Sequence, residues 1–267
     1  YVAMMAESPV VVLSGQAESG KKGRGLFQEM DQPHMVDPVS KASWSVSTAE
    51  KIGADVVDAL ETAKSGRPGP VHLSLPVDLL ESPVEQFVDL KPPDFQIHSN
   101  VGDDMFADQV LSELATAKKP IMLVGPAMMR GKLSDMLDLF TEITAIPVIG
   151  MESPRGINDP SLGAFPEVLS MSDLIVMVGK KLDFSLDFGR SPSINPDCSF
   201  IQIDSEQSVL DQTRLALYDS ERLIMSQITV PLCIIKRFVT LATRRKWPKS
   251  DWCEEVQQAI AYRPALP

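Results

Sequence analysis

The stretch Ser65-Gly66-Arg67-Pro68-Gly69-Pro70-Val71-His72-Leu73-Ser74-Leu75-Pro76 constrains this chain more than any other. Gly66 can take the positive φ that stops a helix, so a helix ends near Ser65. Pro68 and Pro70 then hold the backbone extended and cannot donate helical hydrogen bonds. Val71 to Leu75 follows as a strand, and Pro76 ends it. What precedes this strand reads as the tail of one α/β unit. What comes after it, beyond a polar linker, reads as a second and complete unit.

Upstream, Pro9 to Gly15 is an apolar, β-branched run closing on glycine, the pattern of a buried parallel strand. Gln16 to Gly25 is a polar loop with glycines at 20, 23 and 25. Its glycines lack the strand–turn–helix context and the Lys-Ser/Thr that a phosphate cradle needs. Phe27 to Gln32 is a polar cluster around one aromatic and reads, from residue chemistry alone, as a solvated helix start. Pro38 to Trp44 is extended. Ser47 to Lys64 carries Ile52, Val56, Ala59, Leu60 and Ala63 at helical spacing, with Ser47 as N-cap and Glu50 completing a capping box.

Glu81 to Asp103 holds three prolines (Pro83, Pro92, Pro93) and no sustained period, as an inter-domain linker does. The pattern restarts with a helix to Ala117 and strands at 121–125, 146–149, 174–179 and 200–204. Apolar strands separated by helices or loops and closing on Gly or Asp describe a doubly wound parallel sheet, so the fold class is α/β. Ligands of such sheets sit at the carboxyl ends of the strands. The candidates there are Gly125, Lys180 or Lys181 after Gly179, and Asp204. Asp204 is placed to accept from ribose hydroxyls, or equally to cap a helix over Ser205 to Leu210. No Gly-x-Gly-x-x-Gly follows any strand, which weighs against a dehydrogenase. An edge strand near 224–230, a helix over 231–245 and a short helix over 247–261 complete the chain.

With 25 basic and 36 acidic residues the net charge is −11, which argues against non-specific nucleic-acid binding. No apolar run reaches the roughly 20 residues of a membrane helix. Cys198, Cys233 and Cys253 lack metal spacing and read as free thiols of a reducing cytoplasm. The chain opens on Tyr1 in mid-helix, which points to a piece of a longer protein or to an engineered truncation.

Four motifs occur in the order found in thiamine-diphosphate-dependent enzymes: Phe27-Gln28-Glu29, Pro38-Val39-Ser40-Lys41, Gly66-Arg67-Pro68-Gly69-Pro70-Val71 and Leu75-Pro76-Val77-Asp78. The chain most resembles the acetolactate synthase-like branch, which includes oxalyl-CoA decarboxylase and 2-hydroxyacyl-CoA lyase. Gly179 to Phe184, Phe188-Gly189 and Phe200 to Asp204 look most like the CoA-handling members. The resemblance runs through nearly the whole chain.

It implies that residues 1–83 are the second half of a pyrimidine-binding domain, with 84–105 a linker. Residues 106–232 would then be a Rossmann-like central domain, and 233–267 a linker towards a diphosphate-binding domain. It further implies thiamine diphosphate and magnesium as cofactors, and a 2-oxo acid or acyl-CoA as substrate. The full protein would be a homodimer or homotetramer, with no nucleic-acid or membrane partner. The glutamate that activates the cofactor and the Gly-Asp-Gly to Asn-Asn segment that holds it are not among these residues, so the chain alone is expected to be inactive. By the same resemblance Gln28 is the catalytic-site residue, with Lys41 nearby. Arg67, Gly125, Lys181 and Asp204 would hold a central-domain nucleotide, ADP or FAD. Lys181 stands where a CoA-handling member has arginine, a point charge in place of a bidentate fork. The alternative is a non-catalytic nucleotide-binding or regulatory module derived from such an enzyme.

Overall fold

The computed structural model describes residues 1–27, 29–84, 104–153, 155–218 and 220–263. Two compact units divide the chain, Tyr1–Ile97 and His98–Pro267. The expected linker falls largely at 85–103, outside the described residues.

The first unit runs α1 (Val2–Met5), β1 (Val11–Gln16), α2 (Gln32–Val36), β2 (Ala42–Ser45), α3 (Ile52–Lys64), β3 (Val71–Pro76) and α4 (Val77–Leu80). Its three strands are parallel in the order β1-β3-β2. The register pairs Val11 with Val71, and Val71 with Ala42, so period-2 alternation sorts the side chains cleanly. Val11, Val71, Ala42 and Trp44 pack with Ala59 and Ala63 of α3. The opposite face carries Ser14, Gln16, Ser43, Ser45, His72 and Ser74, an unusual load of polar side chains for a parallel sheet.

The helix expected from Ser47 begins later. One 3₁₀ turn over Ala49–Lys51 intervenes, with Thr48 at its cap position, and α3 starts at Ile52. The Glu50 carboxyl is held below the usual range by its own backbone N–H and by the Thr48 hydroxyl, and the expected capping box with Ser47 does not form. At the other end the chain leaves α3 at Ser65, and Gly66 takes φ +52°. Pro38 likewise is not extended but lies in a 3₁₀ turn, Asp37–Val39, before β2.

The second unit runs α5 (Asp104–Thr116), β4 (Pro120–Val124), α6 (Lys132–Thr144), β5 (Val148–Gly150), α7 (Phe165–Leu169), β6 (Leu174–Val178), β7 (Ser199–Asp204), α8 (Gln207–Ala216), β8 (Leu223–Ile228), α9 (Pro231–Ala242) and α10 (Trp252–Ala261). Its sheet is parallel throughout, in the order β5-β4-β6-β7-β8. Every residue of β4 and β6 is buried, because helices cover both faces. Met122, Val124, Val176, Val178, Ile201 and Ile203 point into one cluster with α5, α6 and α9. Ile121, Leu123, Ile175, Met177 and Phe200 point into the other with α7 and α10.

Helices α9 and α10, which lie in the segment expected as a linker, are therefore part of the packed unit. Ile234, Ile235, Phe238 and Ala242 of α9 enter the first cluster, and Trp252 and Val256 of α10 enter the second. The Trp252 indole N–H also donates to Pro120 O at 2.9 Å. Helical apolar spacing at 234, 235, 238 and 242 is the signal of a core-facing helix. Cys198 and Cys253 are buried and Cys233 half-buried, all as free thiols. Burial pushes the Cys198 thiol up to about 12, too high for a reactive thiolate. Among the described residues no helix is long and apolar enough to cross a membrane.

Candidate functional site

In the first unit, the segment between β1 and α2 forms one wall of a cleft of about 480 Å³, lined by Gln16, Lys22, Glu29, Met30, Asp31 and Ser45 among others. The glycine-rich loop does make an anion nest, but the protein fills it itself. The Glu29 carboxylate accepts from the backbone N–H of Gly23, and from Gly25 and Leu26 at 2.9 Å each. The N–H groups of Leu26 and Gly23 are the chief cause of its lowered pKa. Asp78 ties down the other part of the loop by accepting from the backbone N–H of Ser19 at 3.0 Å and from its hydroxyl. Gln28 lies outside the described residues. Its neighbour Phe27 is 89% exposed.

Gln32 is not solvated, although it does start a helix. Asp31 caps α2, and Gln32 turns inward to 9% exposure. Its Oε1 accepts from Ser14 and Ser74, both at 2.8 Å, and its Nε2 donates to Gly15 O at 2.9 Å. Ser14 Oγ is also 2.7 Å from His72 Nε2, and Ser43 Oγ is 2.8 Å from His72 Nδ1. A serine has one proton to give. If Ser14 spends it on Gln32, then Nε2 carries the ring proton and donates to Ser14, while Ser43 donates to Nδ1. Burial lowers the His72 pKa, which suits the neutral ring.

Lys41 is a structural pin. Its Nζ donates to Thr62 O at 2.6 Å and Ser65 O at 2.5 Å, the last carbonyls of α3, where a cation complements the helix dipole. Its stem fills the space beside Gly69, where a Cβ would lie 3.0 Å from Lys41 Cγ. Arg67 is mostly buried and its Nη1 donates to Glu7 Oε1.

In the second unit Gly125 follows β4, Lys181 follows β6 two residues after Gly179, and Asp204 ends β7. These strands are neighbours, so the three residues share one carboxyl edge. The strand order reverses between β4 and β6, the switch point at which open α/β sheets take ligands. Lys181 is half-buried. Lys180, by contrast, is buried and donates to Asp183 Oδ1 at 3.2 Å and Ser185 Oγ at 2.6 Å. Asp204 is 1% exposed, and its Oδ1 accepts from the Glu206 N–H at 3.1 Å. It does not cap the following helix, whose cap position is Glu206.

Gly125, Lys181 and Asp204 are thus brought to one edge, while Arg67 belongs to the other unit. Sequence reasoning missed Gln32, Ser14, Ser43 and His72. The available signal was polar side chains recurring with period 2 in strands expected to be buried.

The sheet orders and the switch-point edge define a class, parallel α/β units of the kind that bind cofactors at strand ends. Residues 107–227 match the family model described as thiamine pyrophosphate enzyme, central domain. The chain is 30% identical to 2-hydroxyacyl-CoA lyase of Arabidopsis thaliana over 216 residues, 75% of this chain and 37% of that protein. It is 28% identical to acetolactate synthase of Mycobacterium bovis over 230 residues, 80% of this chain and 37% of that protein. It is 26% identical to oxalyl-CoA decarboxylase of Escherichia coli over 219 residues, 77% of this chain and 38% of that protein. A solved structure assigned as a thiamin diphosphate-dependent enzyme, from Mycobacterium smegmatis, shares the fold at a TM-score of 0.67. It is 18% identical, and the match covers 90% of this chain and 47% of that one. The chain is thus similar to thiamine-diphosphate-dependent enzymes along most of its length, and residues 107–227 match their central domain. It spans well under half the length of these relatives.

Proposed function

We propose that this chain is part of a thiamine-diphosphate-dependent carbon–carbon lyase, decarboxylase or carboligase acting on a 2-oxo acid or acyl-CoA. The observation that carries it is similarity spanning 75–80% of the chain to enzymes of these reaction types. Thiamine diphosphate, when bound, supplies the electron sink that stabilises a carbanion beside a carbonyl. The described residues do not fit as its clamp. Of the cleft carboxylates, Glu29 is saturated by backbone N–H groups and Asp31 accepts from the His34 N–H. The contribution of this chain is a wall of the substrate pocket, and the resemblance gives Gln28 the role of its catalytic-site residue.

The test is an assay of the protein that contains this chain, with oxalyl-CoA, a 2-hydroxyacyl-CoA and pyruvate, with and without thiamine diphosphate and magnesium. Cofactor-dependent product, reduced tenfold or more by Gln28→Ala without loss of melting temperature, is the expected result. A tenfold change corresponds to about 1.4 kcal/mol. No cofactor-dependent turnover on any substrate favours the non-catalytic module instead.

A second reading concerns the central domain, where an adenine nucleotide, ADP or FAD, is proposed at the edge formed by Gly125, Lys181 and Asp204. The reversal of strand order beside Gly125 supports it. Arg67, expected from the sequence as a further phosphate ligand, belongs to the first unit and pairs there with Glu7, so this reading rests on the second unit's residues alone.

A further inference from the structure

We propose that Gln32, braced by His72, is the positioning residue that holds the cleft wall in place. The inference rests on reading this cleft as the substrate pocket. The segment leaving β1 returns to the sheet at α2, and both of its ends are anchored by a glutamine. At the outgoing end Gln16 Oε1 accepts from Ser45 at 2.6 Å, and its amide donates to Met30 O at 3.4 Å. At the returning end Gln32 bridges β1 and β3 through Ser14, Ser74 and Gly15 O.

The two anchors differ in depth. Gln16 itself lines the cleft, whereas Gln32 lies behind it, on the polar face of the sheet. Both lone pairs of Gln32 Oε1 are used, so its amide has one orientation, fixed by its neighbours. The proton order is continuous: Ser43 to His72, His72 to Ser14, Ser14 to Gln32, Gln32 to Gly15 O. Each buried member has its partner because the next one is correctly oriented, as a coupled network requires. The groups facing His72 are Ser43 from β2 and Ser14 from β1, both neutral. Gln32 reaches it through Ser14, and no charged side chain contributes to its titration. The loop it serves has exposed basic residues at Lys21, Lys22 and Arg24, so its opening can be read by trypsin.

The experiment uses the full chain. Gln32→Met keeps length and loses every hydrogen bond. Ala59→Gly, in the apolar core on the other face of the same sheet, is the control for general destabilisation. Cleavage at Lys21, Lys22 and Arg24 is followed by mass spectrometry, below the melting temperature of each variant. Gln32→Met should raise cleavage at these sites about tenfold and Ala59→Gly should not. Equal acceleration in both, or none in Gln32→Met, overturns the proposal. In the active protein, Gln32→Met should lower kcat/KM by a similar factor while Ala59→Gly leaves it unchanged. A loosened loop with unchanged kcat/KM would leave Gln32 as the anchor of the loop and refute the cleft as substrate pocket.

Discussion

His72 is held in β3 with a serine on each ring nitrogen and 3% exposure. Its pKa lies below the ordinary 6.5, from burial. The neutral form is therefore favoured by the fold, and the stability it carries is complete above the unfolded value. That stability is lost as pH falls below about 6.5, and the loss ends below the folded value. For one proton the slope cannot exceed about 1.4 kcal/mol per pH unit. Melting curves between pH 7.5 and 5.5 should show this fall, and His72→Asn should flatten it. The window separates it from Asp78, Glu29 and Asp159, whose lowered carboxyl pKa values place their losses in the acid range. An unchanged slope in the variant would mean that His72 does not titrate with folding.

At the level of elements, what was legible in the sequence depended on how local the cause was. The strand at 71–76 was readable because Gly66, Pro68 and Pro70 leave few other conformations. Strands β4 and β6 were readable as unbroken apolar runs, since burial on both faces removes any need for polar residues, and β7 as an apolar run interrupted by Gln202 and closing on Asp204. The start of α3 was displaced because capping chemistry at Ser47, Thr48 and Glu50 permits neighbouring solutions. The inward turn of Gln32 was not legible at all. Its partners Ser14 and Ser74 come from strands distant in sequence, and a glutamine after Asp31 looks like any solvated helix start. The edge formed by Gly125, Lys181 and Asp204 could be read from strand ends alone, while the deep burial of Asp204 could not. Helix α9 supplies the test of the extended boundary. Phe238 is fully buried, with its ring centroid 6.1 Å from that of Phe140. Phe238→Ala should cost about 3–5 kcal/mol by chemical denaturation, the usual range for a buried aromatic. A cost below about 1 kcal/mol, typical of a surface position, would return α9 to the status of a linker.

At the level of the whole chain, the nucleotide reading makes a demand that charge alone opposes. A net charge of −11 repels a nucleotide at long range, but screening confines that effect to roughly 8 Å at physiological salt. Local groups decide, and Lys181 is the half-buried cation at the edge in question. Arg67→Ala is a poor probe, because it removes a charged partner of Glu7, which is 6% exposed, and so destabilises the first unit directly. Lys181→Ala is the better control, since a half-buried terminal ammonium leaves no buried charge behind. Bound at a hundredfold excess over its dissociation constant, ADP should stabilise the chain by about 2.7 kcal/mol. The second unit, which holds the edge, should carry that gain as a higher melting temperature, and Lys181→Ala should remove most of it. FAD is titrated beside ADP, and the nucleotide giving the larger shift at equal concentration is the better ligand. If neither shifts the transition, the carboxyl edge of this sheet holds no nucleotide, and Asp204 has a structural role, ordering the backbone turn into α8 through the Glu206 N–H.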